Sequence, residues 1–165
     1  MIVHNSIPAD NPKLVAETIA EIWGGAAEAF RFPPWPGAYV AIAGDERGTT
    51  CEVYPRNQTM APGVAEGDPA WACVDETPSK HVAFHVATMT SKTVEEVLAI
   101  AERVGWRALT CPRGDFFDVI EVWVENRMLL EVLTPEMQAD YKKNVNLEMW
   151  RWTKQEPQQE AAAAE

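Results

Sequence analysis

Ile19–Gly24 reads IAEIWG, and Ile100–Gly105 reads IAERVG. Each closes a stretch whose apolar residues recur at helical spacing: Leu14, Val15, Ile19 and Ile22 in the first, Val94, Val97, Leu98, Ala101 and Val104 in the second. A glycine at each end suits the left-handed turn with which many helices stop. The starts are marked as well. Asn11–Pro12 sets a side-chain acceptor at the N-cap and a proline where no N–H is needed; Thr93 with Glu96 is a capping box.

The same order of elements surrounds both helices. Before the first, Ile2–Ile7 reads as a strand; after it come strand candidates Ala27–Phe32, Ala38–Ala43 and Thr49–Tyr54, separated by PPWPG and by the turn GDERG. Around the second stand His81–Ala87, Arg107–Cys111, Val119–Val124 and Met128–Leu133, with Glu125, Asn126 and Arg127 at the last turn. The final strands also match, CEVYP at 51–55 against LEVLTP at 130–135. An internal repeat of this kind sets the architecture. The expectation is an α+β fold of two tandem βαβββ modules, their curved sheets around a shared cleft and their helices outside. Residues 1–58 and 81–135 form the modules, and the Pro- and Gly-rich 59–80 a linker. Residues 136–165 hold a C-terminal helix, opened by Thr134–Pro135, and the low-complexity tail QEPQQEAAAAE.

Composition narrows the function. An apolar content of 47% over 165 residues supports a real core and excludes wholesale disorder. The formal net charge of −11 makes nucleic acid and anionic membranes poor partners. The start MIVHNSIPAD lacks the pattern of a signal peptide, and no run reaches the roughly 18 apolar residues of a membrane span. Three cysteines without a CxxC pair suit reduced thiols, so a cytoplasmic protein is expected.

Strand parity locates candidate chemistry, because alternate side chains point to opposite faces. In HVAFHVA (81–87), Val82, Phe84 and Val86 form an apolar face for the helices, and His81, Ala83 and His85 point the other way. Thr50, Glu52 and Tyr54 share a face, as do His4 and Ser6, and Leu129, Glu131 and Leu133. Each module therefore offers a histidine on its first strand and a glutamate on its last. His4 and Glu52 lie 48 positions apart, His81 and Glu131 50. Such a set suits a borderline dication (Zn, Ni, Co, Mn or Fe), whose charge would be cancelled by two carboxylates.

The duplicated βαβββ order, HVAFHV at 81–86 and LLEVLTP at 129–135 resemble the vicinal oxygen chelate superfamily, which includes glyoxalase I, extradiol dioxygenases and bleomycin-resistance proteins. HNSIPAD and TCEVYP match the same patterns more weakly, and the resemblance spans roughly residues 1–135. It implies His4, Glu52, His81 and Glu131 as metal ligands, as in bacterial glyoxalase I, with Glu131 or Glu52 moving a proton. An ungapped register instead matches His85 to His4, since Gly24 and Gly105 each follow 20 positions later.

The leading expectation is a glyoxalase-like metalloenzyme (lyase or isomerase) acting on a small substrate with adjacent oxygens, as a homodimer. One alternative is a metal-free small-molecule binding or drug-sequestering protein; another is a ferrous extradiol-type dioxygenase. Other residues carry weaker signals. Arg113, in CPRGD, could meet a substrate carboxylate but reads first as a solvated loop residue. Glu121 and Glu125 share a face with Trp123 and read as a solvated or interface strip. Cys51 and Cys111 read as small buried residues, and Trp35, Trp71, Trp106 and Trp123 as core by default.

Overall fold

Residues 4–30, 36–61, 71–74, 77 and 84–145 are described in a computed structural model of the chain. Its first module runs β1 (His4–Ala9), α1 (Pro12–Trp23), β2 (Ala26–Ala29), β3 (Tyr39–Ile42) and β4 (Thr50–Pro55). Two short strands follow, β5 (Gln58–Ala61) and β6 (Trp71–Val74), paired antiparallel and lying, but for Gln58, in the stretch 59–80 read as a linker. The second module runs β7 (Val86–Met89), α2 (Val94–Arg103), β8 (Ala108–Arg113), β9 (Phe117–Val124) and β10 (Met128–Leu133), and α3 (Pro135–Asn144) closes the described chain. The sheets are ordered β1-β4-β3-β2 and β7-β10-β9-β8, with the first and last strands of each module parallel and the other pairs antiparallel. The expected α+β fold, built from two βαβββ modules and a C-terminal helix, is present.

The local signals form as read. Asn11 accepts from the Leu14 amide, Gly24 takes φ 77° at the end of α1, and both bonds of the Thr93–Glu96 box are made. The helices bury Val15, Ala16, Ile19 and Ile22, and Val97, Ile100 and Ala101, against Ile7, Val53, Ile120, Val122, Val124, Leu130 and Val132 of the sheets, in one core that serves both modules. Leu14, counted in the apolar stripe, is instead exposed at its edge. α3 lies on β9 and β10, where Tyr141 meets Phe117 edge-on with centroids 5.0 Å apart.

The first strand of module two departs from expectation. β7 begins at Val86, and residues 81–83, with His81 and Val82, lie outside the described residues. Val86 packs on the core, but Phe84 is 47% exposed rather than turned to the helices. It precedes the parallel ladder with β10, which starts at Leu130–Val86, so no pairing holds it against α2. Arg113 ends β8 instead of sitting in a loop.

The modules are joined by polar contacts. Thr90 Oγ1 donates to the Ile22 carbonyl at the end of α1, and Arg103 on α2 pairs with Glu21 on α1. At the other end of α1, the Glu125 carboxylate accepts from the amides of Asp10 and Asn11 and from Arg56. Among the described residues no helix is long and apolar enough to cross a membrane.

Candidate functional site

The pairing registers show how the repeat positions its carboxylates. Ser6 lies opposite Glu52 across β1 and β4, and Ala87 opposite Glu131 across β7 and β10. Glu52 and Glu131 are therefore equivalent, each beside a small residue. His4 stands two residues before Ser6, and His85 two before Ala87. The pairing thus makes His85 the counterpart of His4, in agreement with the ungapped register; His81 lies outside the described residues. Both His4 and His85 are exposed.

The equivalent carboxylates have different neighbours. Glu52 is held by hydroxyls: Ser6 Oγ donates at 3.1 Å, and Tyr54 OH makes a short bond to the same oxygen. Burial pushes the Tyr54 phenol well above its ordinary range, and the bond and charge of Glu52 push it further the same way. Tyr54 is fixed edge-on to Phe30, with centroids 5.8 Å apart. On the opposite parity of β4, the Cys51 thiol is buried and pushed up to about 12 by that burial.

Glu131 is held by a cation. Arg113 donates to its Oε1 from Nε at 3.1 Å and from Nη2, and the same Nη2 reaches Glu121 Oε1 at 2.9 Å. Glu121 and Glu131 are directly opposed across β9 and β10, so one guanidinium separates two facing carboxylates. Arg113 itself pairs with Phe117, four residues along β9 from Glu121, so its side chain runs back over Val119 to reach them. Burial alone would raise the Glu121 carboxyl; the bonds from Arg113 and from the Trp123 indole, 3.2 Å away, outweigh it and hold the group below its ordinary value.

Beside this triad lies a cleft of about 360 Å³ lined by Arg107, Glu121, Trp123 and Asn126. Register makes its floor. Trp123 pairs with Leu129 on one side, and its amide donates to the Arg107 carbonyl on the other. Arg107, Trp123 and Leu129 thus form one cross-strand row, and Leu109, Glu121, Glu131 and Ala87 the next.

Of the four expected ligands, His4, Glu52 and Glu131 are described, and His81 lies outside the described residues. Among the described residues, no three His, Cys, Asp or Glu side chains come together at metal-binding distance. In module two, Glu131 Oε1 is bonded twice to the Arg113 guanidinium, which puts a fixed positive charge where a dication would add its own. Sequence reading weighed Arg113 only as a loop residue for a substrate carboxylate and missed its pairing with Glu121 and Glu131, which lie 8 and 18 residues away on other strands. Its one signal was parity, odd like Glu121.

No family model matches the chain, and no curated protein matches it significantly. Solved structures do. A fosfomycin resistance protein from Listeria monocytogenes, complexed with Mn(II) and 1S,2S-dihydroxypropylphosphonic acid, superposes with a TM-score of 0.52 at 11% identity, over 84% of this chain and 95% of that one. A protein from Agrobacterium tumefaciens, solved in solution, gives 0.50 at 13% identity, over 81% and 96%. A lactoylglutathione lyase from the same organism gives 0.49 at 10%, over 82% and 94%. At these identities the likeness of the first two shows the fold alone, in agreement with the two βαβββ modules.

Proposed function

We propose that this chain binds a small organic molecule on the face of module two opposite α2, without a metal ion. The observation that carries the reading is the pair of hydrogen bonds that Arg113 donates to Glu131 Oε1. A dication ligated by Glu131 would have to displace or sit beside a guanidinium, at a cost of several kcal/mol in like-charge repulsion and lost hydrogen bonds. Arg113 supplies in covalent form part of the positive charge that a metal would bring. The cleft beside it is of ligand size and has an aromatic wall, Trp123, steadied by Glu121.

A second reading is favoured by the equivalence of Glu52 and Glu131 and the matched placing of His4 and His85. It is the glyoxalase-like metalloenzyme, with His4, Glu52, Glu131 and either His81 or His85 around a dication, within one chain or across a homodimer. One experiment separates the two. Chelator-treated protein is titrated calorimetrically with Zn(II), Ni(II) and Mn(II), alongside Glu131→Gln. Our reading expects no stoichiometric uptake that depends on Glu131. One ion per chain in the parent, lost in the variant, would overturn it in favour of the metalloenzyme.

A further inference from the structure

We infer that the ligand of the Trp123 cleft is a planar aromatic carboxylate, its ring on Trp123 and Leu129 and its carboxylate on Arg107; this deepens the proposed binding function and rests on it. The charges of the face decide the class. Glu121 and Glu131 each already pair with the Arg113 guanidinium, so a cationic ligand would meet a like charge there. Asn126 lines the cleft but is also committed: its Oδ1 accepts from the Arg107 amide at 2.7 Å and its Nδ2 donates to the Gly105 carbonyl at 3.0 Å. Trp123 has spent its indole N–H on Glu121. What remains uncommitted among the lining groups is the guanidinium of Arg107, which is exposed and has no partner among the described residues.

Each remaining surface has a matching ligand group. The Trp123 ring, held by its bond to Glu121, offers a face for stacking at small entropic cost, and Leu129 is its cross-strand neighbour. Arg107 heads the same cross-strand row, about one strand spacing, roughly 5 Å, from Trp123. Its planar fork matches a carboxylate attached directly to a ring resting on the indole. Two guanidiniums against two carboxylates leave the face neutral, so the chain's overall negative charge is not concentrated where the anion must sit.

The test is calorimetric titration of the full chain with 2-naphthoate and its uncharged isostere 2-naphthamide, on the parent, Arg107→Gln, Arg107→Lys and Trp123→Leu. The acid should bind about tenfold tighter than the amide, the size of one charge-assisted bond. Arg107→Gln should erase that preference while weakening the acid far more than the amide, and Arg107→Lys should keep part of it. Trp123→Leu should weaken both ligands. Equal affinity for acid and amide in the parent, an acid preference that survives Arg107→Gln, or no binding of either compound would overturn the inference. Amide binding that depends on Trp123 without an acid preference sinks the ligand class and leaves the binding site standing. Glu131-dependent metal uptake alongside an intact acid preference sinks the metal-free reading alone.

Discussion

Arg113 on β8 reaches across β9 to bond Glu131 on β10, its Nε 3.1 Å from Oε1, while its Nη2 holds Glu121 on the strand between. Removing the guanidinium would leave two facing carboxylates, 19% and 13% exposed, to repel each other. Arg113→Gln should therefore cost about 2 kcal/mol at pH 7, below the range for fully buried pairs because water still reaches the site. A second change, Glu121→Gln, should restore part of it. The sign with pH follows from Glu121. Its folded pKa is depressed, so its contribution is fully present above its ordinary value of 4.5 and is lost as pH falls through the depressed value. In the variant, protonation relieves the repulsion instead. The stability gap in urea unfolding should narrow below pH 4.5; a gap constant down to pH 3 would show that charge is not its origin.

The sequence reveals what depends on near neighbours. Asn11–Pro12, Thr93–Glu96 and Thr134–Pro135 each act over three or four residues, and all three helices start where those pairs place them. Met128–Leu133 also has the expected bounds, its alternation being closed by a turn on one side and a cap on the other. Strand register is another matter. Whether His81 or His85 is the counterpart of His4 depends on where β7 meets β10, and nothing within HVAFHVA encodes that. Parity puts Glu52 and Glu131 at equivalent sites, yet what each one bonds is decided by β1 and β8, strands 46 and 18 residues distant. Phe84 marks the same limit: alternation assigns it a face only if the strand has begun.

Glu125 shows a cost accepted for a long-range gain. It and Asn126 take φ of 50° and 56°, left-handed backbone in the three-residue turn 125–127 of the hairpin, where Glu is strained by about 1 kcal/mol. The first turn of α1 has no acidic residue of its own; Glu125 supplies the carboxylate from 114 residues away, 2.7 Å from the Asn11 amide and 2.6 Å from that of Asp10. Arg56 joins it at 2.8 Å. Glu125→Gly would relax the backbone yet leave two amides without their acceptor and Arg56 paired with Asp10 alone. It should lose about 2 kcal/mol net, with faster hydrogen exchange at Asp10 and Asn11. A variant as stable as the parent would mean that the turn's strain equals the value of the clamp.

Gly25 is required by space. A Cβ there would lie 1.9 Å from the Ile42 carbonyl oxygen, on the backbone of the neighbouring strand, which cannot swing aside as a side chain can. Gly24 has open space around its missing Cβ but takes φ 77°. Gly25→Ala should therefore destabilise by roughly 3 kcal/mol or more, through displaced backbone, and Gly24→Ala by about 1 kcal/mol, through conformation alone. Chemical unfolding of the two variants tests the ranking, and its reversal would mean that β2 and β3 lie farther apart than their register implies.

Cys51 tests how tightly module one closes under its sheet. The thiol is 3% exposed, and burial raises its pKa to about 12; the nearby Glu52 charge adds to the rise, and the 3.5 Å contact from Asn5 Nδ2 opposes it. At pH 8 the thiolate would then be about one part in ten thousand, and no alkylating reagent could reach it without opening the module. Cys111, on β8, is only half-buried. Iodoacetamide at pH 8, followed by peptide mass spectrometry, should label Cys111 in native protein while Cys51 stays unmodified until urea passes the unfolding midpoint. Replacing Glu125 by Gly should bring forward the urea concentration at which Cys51 reacts, because the clamp at the start of α1 helps to hold that module closed. Native labelling of Cys51 as fast as that of Cys111 would contradict the packing of β4 beneath α1. Cys51 reactivity unchanged by Glu125→Gly would confine the clamp's effect to the helix terminus.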